Sequence, residues 1–590
     1  MKFLNWLIAL VCFIGSIQSG YITAGEPHGN SKQPNIVLIL IDDLSHYGVT
    51  AYGANRLSEK RENSFTNVQF ETPNIDKLAS RGLMCNRAYA YPLCEATRIA
   101  LMSGQYNSRN FLKPKAQHSS EITFGDTFRK AGYATGMFGK WKQTRGTKKT
   151  KGKDYIFEFG WDEFCCFDVV GEGQRFINPN LVVNGKVENY EGRTDLDPIT
   201  GRRWYGPDIC NRRVLDFIER NKENPFFLYY PMLLVHDEHK PTPDTVPKAE
   251  FDSCDESKKF DDLKYFPDML SYMDKMIGNV AQKIKDCGLL ENTLIVVMGD
   301  NGTKEPFTHL LPDGSKFQGN KGATKENGLH VPLIFAMPGT VPFGKGRVRS
   351  YDGLTDVVDI YPTLAEAAGI QIENRHSIDG VSFWQQIVGR NSEEHRDTIY
   401  TWYNENFPAT NLTHVVRYAF DKNFKRYAPH DQFPEGRFFD LRSDPFEETG
   451  RKKVMLRWKH YHKEGLDLNE LNAEQRLAFK KLGEVIDQHE FVPATGLEIE
   501  GPNTPVKKDT VVKLRHSITP LNATRRNVIW ESSDPEIAEV NKFGELTAKN
   551  AGTTNVTVYS WDDAKPLASG KTGDFAKSGI QARLTISVID

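Results

Sequence analysis

Cys94 and Arg98 fall within Pro92-Leu93-Cys94-Glu95-Ala96-Thr97-Arg98-Ile99-Ala100-Leu101-Met102-Ser103-Gly104, a stretch whose pattern predicts a helix opening at Cys94 and stopping near Gly104. On that helix a thiol and a guanidinium lie one turn apart on a single face. The unpaired amides and dipole of a helix start favour an anion, and an arginine can hold an oxyanion through two parallel bonds or fix a neighbouring nucleophile. The pair reads as a cradle for a tetrahedral oxyanion. A cysteine near an arginine is more often structural, so this reading depends on what else the chain brings to the same place.

Asp42-Asp43 follow an apolar run at residues 35–41, and Asp300-Asn301-Gly302 follow another at residues 293–298. Taken singly, each pair would serve as a turn or a helix cap. Both runs read as buried strands, which places these side-chain oxygens together on one edge of one sheet, as a hard cation requires. With no histidine or thiolate pairs nearby, the ligands suit calcium or magnesium, and calcium tolerates irregular geometry better. Calcium is therefore the expected ion.

The elements that must position these residues are legible. Residues 35–41, 134–138, 225–234 and 293–298 read as parallel strands buried on both faces, each ending in a polar, chemically capable residue. Amphipathic stretches at 72–81, 123–131, 210–221 and 266–287 lie between them, so strand and helix alternate as in a doubly wound α/β sheet. In such sheets the site lies at the carboxyl edge of the strands. Past Val388 the sequence turns aromatic, charged and turn-rich, with a strand near residues 414–420 and a charged helix around 472–488, which predicts a smaller α+β subdomain. After a break at Pro493-Ala494-Thr495-Gly496, short strands without helical period, including 527–531, 545–548 and 553–559, predict a β-sandwich.

At 590 residues the chain exceeds one ordinary core and is expected to divide into two or three domains. A formal net charge of −2 offers no global basic field for nucleic acid or anionic membranes, so any anion specificity has to be local. The basic cluster at residues 142–153 reads as a solvated loop that could also meet a polyanionic substrate. Lys2 precedes an apolar run at residues 3–17, shorter than the roughly 20 residues a spanning helix needs. Residues 1–24 are accordingly expected to be a secretion signal, leaving a mature protein with no membrane association. Setting aside Cys12 and Cys94, the cysteines at 85, 165, 166, 210, 254 and 287 remain open to disulfide pairing or to a buried apolar role.

Cys94-Glu95-Ala96-Thr97-Arg98 resembles the sulfatase signature, which is Cys or Ser, any residue, Pro or Ala, any residue, Arg. Further motifs agree in order, from Pro34-Asn35-Ile36-Val37 with Asp42-Asp43, through Glu71-Thr72-Pro73-Asn74-Ile75-Asp76-Lys77-Leu78-Ala79, to Gly139-Lys140-Trp141. They continue through Pro225-Phe226-Phe227-Leu228, Gly299-Asp300-Asn301-Gly302, Val331-Pro332-Leu333-Ile334, Asp359-Ile360-Tyr361-Pro362-Thr363-Leu364 and Phe439-Asp440-Leu441-Arg442-Ser443-Asp444-Pro445. Over roughly residues 34–490 the chain is similar to the type I, formylglycine-dependent sulfatases of the alkaline phosphatase superfamily.

That resemblance implies a mixed sheet flanked by helices over residues 34–395 and a smaller α+β subdomain over 396–492. It implies that a maturation enzyme converts Cys94 to formylglycine, and that Asp42, Asp43, Asp300, Asn301 and the modified Cys94 ligate one calcium. Arg98, Lys140, His236 and Lys321 would surround the sulfate, with His236 closing the strand at 225–235 and, with Lys321, protonating the departing oxygen. Lys142 stands where a His usually follows Gly-Lys-Trp, Asn327 replaces a Gly and His330 replaces a common Arg. Lysine is a poor base unless neighbouring cations or burial lower its pKa, so Lys142 could assist catalysis, contact substrate or do neither.

Val528-Ile529-Trp530-Glu531-Ser532-Ser533-Asp534-Pro535, followed by Gly544-Glu545-Leu546-Thr547-Ala548, resembles the bacterial group 2 immunoglobulin-like domain, over about residues 497–590. Such modules act as spacers or adhesion units, and the likeness implies a bacterial chain that is secreted or periplasmic. The implied activity is hydrolysis of sulfate esters on a sulfated polysaccharide or its oligosaccharides. Two other readings stay open on sequence: a phosphodiesterase or phosphonate hydrolase of the same superfamily, and a catalytically silent polysaccharide-binding protein.

Overall fold

The computed structural model describes residues 33–590 apart from 61–62, 111–116, 144–153, 168, 170–172, 345–347, 374, 405–414, 458–459, 563–564, 567–574 and 577–578. The expected secretion signal and most of the basic cluster at 142–153 lie outside the described residues.

In chain order the first region comprises β1 (Asn35–Ile41), α1 (Pro73–Ala79), β2 (Leu83–Cys85), α2 (Cys94–Ser103), α3 (Phe124–Lys130), β3 (Ala134–Lys140), β4 (Glu163–Phe167), β5 (Asn180–Val183) and β6 (Lys186–Asn189). It continues with α4 (Gly206–Arg220), β7 (Phe226–Pro231), α5 (Phe266–Asp286), β8 (Thr293–Gly299), β9 (Leu333–Ala336), β10 (Arg349–Tyr351) and α6 (Ile360–Ala367). These strands form one ten-stranded sheet in the order β10-β2-β9-β8-β1-β7-β3-β4-β5-β6. Its middle, β8-β1-β7-β3-β4, is parallel. β9 pairs antiparallel with β8, and β5 with β4, so the whole sheet is mixed.

All residues of β1 are buried. Val37, Ile39 and Ile41 share a core with Ile209, Val214 and Phe217 of α4 and Met269, Met273 and Ile277 of α5. Ile36, Leu38 and Leu40 belong to a second core with Ala100 and Leu101 of α2, Phe124 and Phe128 of α3, and Tyr361 and Leu364 of α6. A strand covered on both faces has no polar side to show, which is why these segments read as continuous apolar runs. Each such side chain contributes about 1.5–3 kcal/mol on burial. The polar residues at the strand ends therefore stand on a firmly packed base.

The strand expected over residues 225–234 stops earlier, at Pro231. The following residues cross the end of β1: Met232 N–H donates to Leu40 O at 2.8 Å, Val235 N–H to Asp42 O at 2.9 Å, and Asp42 N–H to Leu234 O at 3.1 Å. His236 thus follows a crossing segment pinned to Asp42, and does not close the strand itself.

The next region forms an antiparallel sheet of β11 (Ile399–Asn404), β12 (Val415–Phe420), β13 (Phe424–Tyr427) and β14 (Arg437–Asp440). The helix α7 (Ala473–Gln488) shares a core with it through Leu482, Ile486, Phe424 and Phe438. Beyond residue 496 the described residues are all-β, with sheets of four and three strands around Leu514, Leu546, Val556 and Ile586. This all-β region docks on the first: the Trp561 indole N–H donates to Ser120 Oγ at 3.0 Å, and Lys542 Nζ lies 2.8 Å from Asp126 Oδ2. Among the described residues every cysteine is an unpaired thiol, all buried except the partly buried Cys287. No helix among them is long and apolar enough to cross a membrane.

Gly139, the residue before Lys140, adopts φ +132°, and a Cβ there would meet Pro231 O at 2.0 Å. Only a residue without a side chain lets β3 and β7 approach so closely at the sheet's carboxyl edge. Gly139→Ala is expected to destabilise the fold by about 2–4 kcal/mol, through overpacking and backbone strain together. A urea melt against the parent protein measures this.

Candidate active site

The carboxyl ends of β1, β3 and β8, the crossing segment after β7 and the first turn of α2 converge on one point. The α2 helix begins at Cys94 after the extended Leu93 and ends at Gly104, whose left-handed backbone (φ 66°) returns its N–H to Ala100 O. Cys94 and Arg98 are buried on the same face, as their spacing predicts. Arg98 Nε and Nη2 donate to Asp300 Oδ2 at 3.2 and 2.8 Å, and Nη1 donates to Lys140 O at 3.0 Å. Its charge is thus spent largely within the site, bracing α2 against β8 and β3.

Lys140 Nζ bonds Asp42 Oδ2 and lies 3.6 Å from Cys94 Sγ. Lys321 Nζ lies 2.5 Å from Asp43 Oδ1 and 3.6 Å from the same sulfur. The two ammonium groups bracket the Cys94 side chain. His236 Nε2 sits 3.9 Å from Asp43 Oδ2. Asp43 N–H donates to Asp300 Oδ1 at 3.0 Å, and Asn301 Nδ2 donates to Asp43 Oδ1 at 2.9 Å. Every sequence-predicted site residue except Lys142 is therefore in this constellation. Lys142, in a left-handed conformation (φ 59°), directs Nζ to Glu95 Oε1 at 3.6 Å, beside the cluster on α2.

The electrostatics follow from burial. Burial opposes ionisation of Asp42, but Lys140, His236, Arg98 and Lys321 outweigh it and hold its carboxyl well below the usual range. For Asp300, burial and the neighbouring Asp42 win over Arg98 and Lys140, and its carboxyl is pushed up to about 7. Burial pushes the Cys94 thiol up to about 11, against the pull of Lys140 and Lys321. His236 is lowered by burial and then by Lys140 and Lys321, while Lys321 is raised well above the usual lysine value because Asp43, Cys94 and Asp42 overcome its burial.

These residues fit a divalent cation. Asp42 Oδ1, Asp43 Oδ2 and Asn301 Oδ1 are buried and accept no hydrogen bond, although their partner atoms are well bonded. Buried oxygens are seldom left so, and three from adjacent strand ends form a ready set of hard ligands. Asp42, Asp43, Cys94 and His236 also place one ligand-capable atom each within 4.8 Å of the others. A double positive charge there would relieve the crowding that raises Asp300.

Sequence reasoning missed two residues at the edge of the site. Asp237 Oδ1 lies 2.5 Å from His236 Nδ1, and Asp237 Oδ2 lies 2.5 Å from Lys304 Nζ. Asp237 is held well below the ordinary carboxylate range: burial opposes this, but His236 and Lys304 outweigh it. Adjacency to His236 was the available signal for Asp237. For Lys304 the sequence carries no comparable signal, because the contact joins two loops.

Comparison with known proteins supplies the family. A family model described as Sulfatase matches residues 34–370, one described as N-sulphoglucosamine sulphohydrolase, C-terminal, matches 319–460, and one described as Bacterial Ig-like domain (group 2) matches 493–568. A sulfatase of Formosa agariphila is 25% identical over 427 residues, covering 61% of this chain and 73% of that protein. Arylsulfatase G of Rattus norvegicus is 26% identical over 437 residues, covering 67% and 77%. Among solved structures, Ps i-CgsB in complex with k-i-k-neocarrahexaose superposes with a TM-score of 0.55 at 24% identity, covering 71% of this chain and 88% of that one, a likeness of fold. The Sulfatase match alone spans more than half of the 590 residues, and the chain belongs to the sulfatase family of sulfuric ester hydrolases.

Proposed function

We propose that this chain hydrolyses sulfate esters on a sulfated polysaccharide or its oligosaccharides, with formylglycine at position 94 as nucleophile and calcium as cofactor. The observation that carries the proposal is the convergence of three unpartnered buried oxygens, on Asp42, Asp43 and Asn301, with a helix-start Cys94 bracketed by Lys140 and Lys321. A thiol pushed up to about 11 is almost wholly protonated at neutral pH and is a poor nucleophile as it stands. Oxidation of Cys94 by a maturation enzyme would exchange it for an aldehyde, whose hydrate supplies one oxygen to attack sulfur and a second whose loss of a proton releases sulfate.

Asp42, Asp43, Asp300, Asn301 and the modified residue 94 would hold the cation, which favours the ionised form of an oxygen nucleophile. The chain's own residues do the rest. Arg98, braced by Asp300 and the Lys140 carbonyl, fixes α2 and with it the nucleophile's direction. Lys140 and Lys321 offset the sulfate charge from two sides, and in this buried setting such fixed charges act with little screening. His236, with Nε2 facing the cluster, delivers a proton to the oxygen that leaves. Lys142 pairs with Glu95 and so balances a carboxylate next to the nucleophile, in place of the proton-transfer role of the usual histidine.

The Ps i-CgsB structure holds k-i-k-neocarrahexaose, and together with the apolar segment at residues 3–17, which fits delivery of the chain outside the cytoplasm, this favours a polysaccharide substrate over a small metabolite. A desulfation screen over carrageenan, fucoidan, ulvan and glycosaminoglycan fragments, reading which carbon loses sulfate, tests the substrate class.

Four outcomes are expected. Cys94→Ala lowers turnover of an aryl sulfate by at least about 10⁴-fold, as removal of a nucleophile does. The parent protein turns over that ester in preference to an aryl phosphate diester, whereas a phosphodiesterase would show the reverse order. Chelation of the cation lowers unfolding free energy by about 2.7 kcal/mol relative to protein held at a hundredfold excess over its Kd. In Asp43→Ala that chelator response is lost, and thermal melts with and without added calcium measure both.

A further inference from the structure

His236 enters the site with its two ring nitrogens in different company. Nδ1 faces acceptors only, the carboxylate Oδ1 of Asp237 at 2.5 Å and the Asp237 backbone carbonyl. Nε2 points the other way, 3.9 Å from the unpartnered Oδ2 of Asp43. A nitrogen flanked by acceptors carries its hydrogen whether the ring is neutral or charged, so exchange at His236 is confined to Nε2.

Asp237 is itself tied down. Its second oxygen meets Lys304 Nζ at 2.5 Å, and Lys304 lies on the loop that also carries Asp300 and Asn301. The chain Lys304–Asp237–His236 therefore links the loop after β8 to the segment after β7. Lys304 and Asp237 are about one-third exposed, at 30% and 31%, whereas the His236 side chain is 8% exposed. A buried ring that only needed its polar atoms satisfied would require one acceptor at Nδ1; this one receives a carboxylate anchored by a further cation.

We propose that Asp237, anchored by Lys304, is a positioning residue that holds the His236 ring with Nε2 aimed at the oxygen leaving sulfur. As the nucleophile's oxygen bonds to sulfur and the ester sulfur–oxygen bond breaks, the electron pair of that bond moves to the leaving oxygen, which takes the Nε2 proton of the imidazolium form and leaves the ring neutral. Nδ1 keeps its own hydrogen throughout, bonded to Asp237. The arrangement follows the logic by which an orienting carboxylate serves a catalytic histidine. This inference rests on the proposed sulfatase chemistry and adds Asp237 and Lys304 to it.

The test is the dependence of rate on the leaving group, which a purely structural role would not change. A nitrophenol leaves readily without protonation, whereas unsubstituted phenol needs a proton more. In the full-length, matured protein, Asp237→Asn is expected to lower kcat on phenyl sulfate by about 10²-fold and on 4-nitrophenyl sulfate by less than about tenfold, with KM little changed. Asp237→Glu should recover part of the loss, and Lys304→Met should reproduce the same pattern in weaker form. Should Asp237→Asn fail to fold, Lys304→Met carries the comparison. Equal losses on both esters, or no loss on phenyl sulfate, would overturn the proposal. A parent protein that fails to hydrolyse either ester in a Cys94-dependent way would instead contradict the underlying sulfatase reading, so the two failures are distinguishable.

Discussion

Three carboxylates, Asp42, Asp43 and Asp300, are gathered at the adjoining ends of β1 and β8, all of them buried. Withdrawing such charges from water costs several kcal/mol each unless partners come with them. The partners come from elsewhere in the fold: Arg98 from α2, Lys140 from β3, Lys321 from the loop before β9. This requirement locks five parts of the chain together. Losing one partner of a buried pair typically costs about 3–5 kcal/mol, so the cluster constrains the architecture as well as the chemistry. Its positive charges do not satisfy everything, since one oxygen each of Asp42, Asp43 and Asn301 stays unpartnered. The surplus is directed inward, beside Cys94, where a cation and an oxygen nucleophile would complete it.

The rest of the molecule secures that point from behind. Two cores sandwich β1, so its end cannot drift. Gly139 lets β3 come against Pro231 and sets the height of Lys140. The loop carrying Lys321 is held by the second region, where Lys425 Nζ donates to Thr324 O and to Glu447 Oε1, and the Tyr427 hydroxyl donates to Glu447 Oε2 at 2.7 Å while lying 3.2 Å from Thr324 O. Even the all-β region reaches the neighbourhood: Asn527 and Gln105, just beyond the end of α2, exchange amide hydrogen bonds at 3.1 and 3.3 Å. It is docked on the region that carries the site, through Trp561, Lys542 and this amide pair.

Much of this was legible in the sequence because it is written in period and composition. Strands buried on both faces leave unbroken apolar runs, and residues 35–41 coincide with β1. The α2 helix begins at Cys94 as its pattern predicts, and the acidic pairs follow their strands directly. What escaped depends on side chains meeting across loops. The path of residues 232–235 was hidden because Pro231 ends a strand inside a run that is still apolar, and the backbone then bonds to Asp42 in place of a ladder. The Lys142–Glu95 and Asp237–Lys304 contacts carry no periodic signal at all. The cysteines, left open between disulfides and apolar filling, stand as unpaired thiols among the described residues, which matches the buried reading for most of them.

The proposed chemistry requires position 94 to present oxygen rather than sulfur to the cation. Mass analysis of the peptide containing residue 94, taken from protein of measured activity, tests this most directly. The fraction of that peptide carrying an aldehyde in place of the thiol should equal the active fraction. Full activity in a preparation whose residue 94 remains wholly an unmodified cysteine would contradict the account.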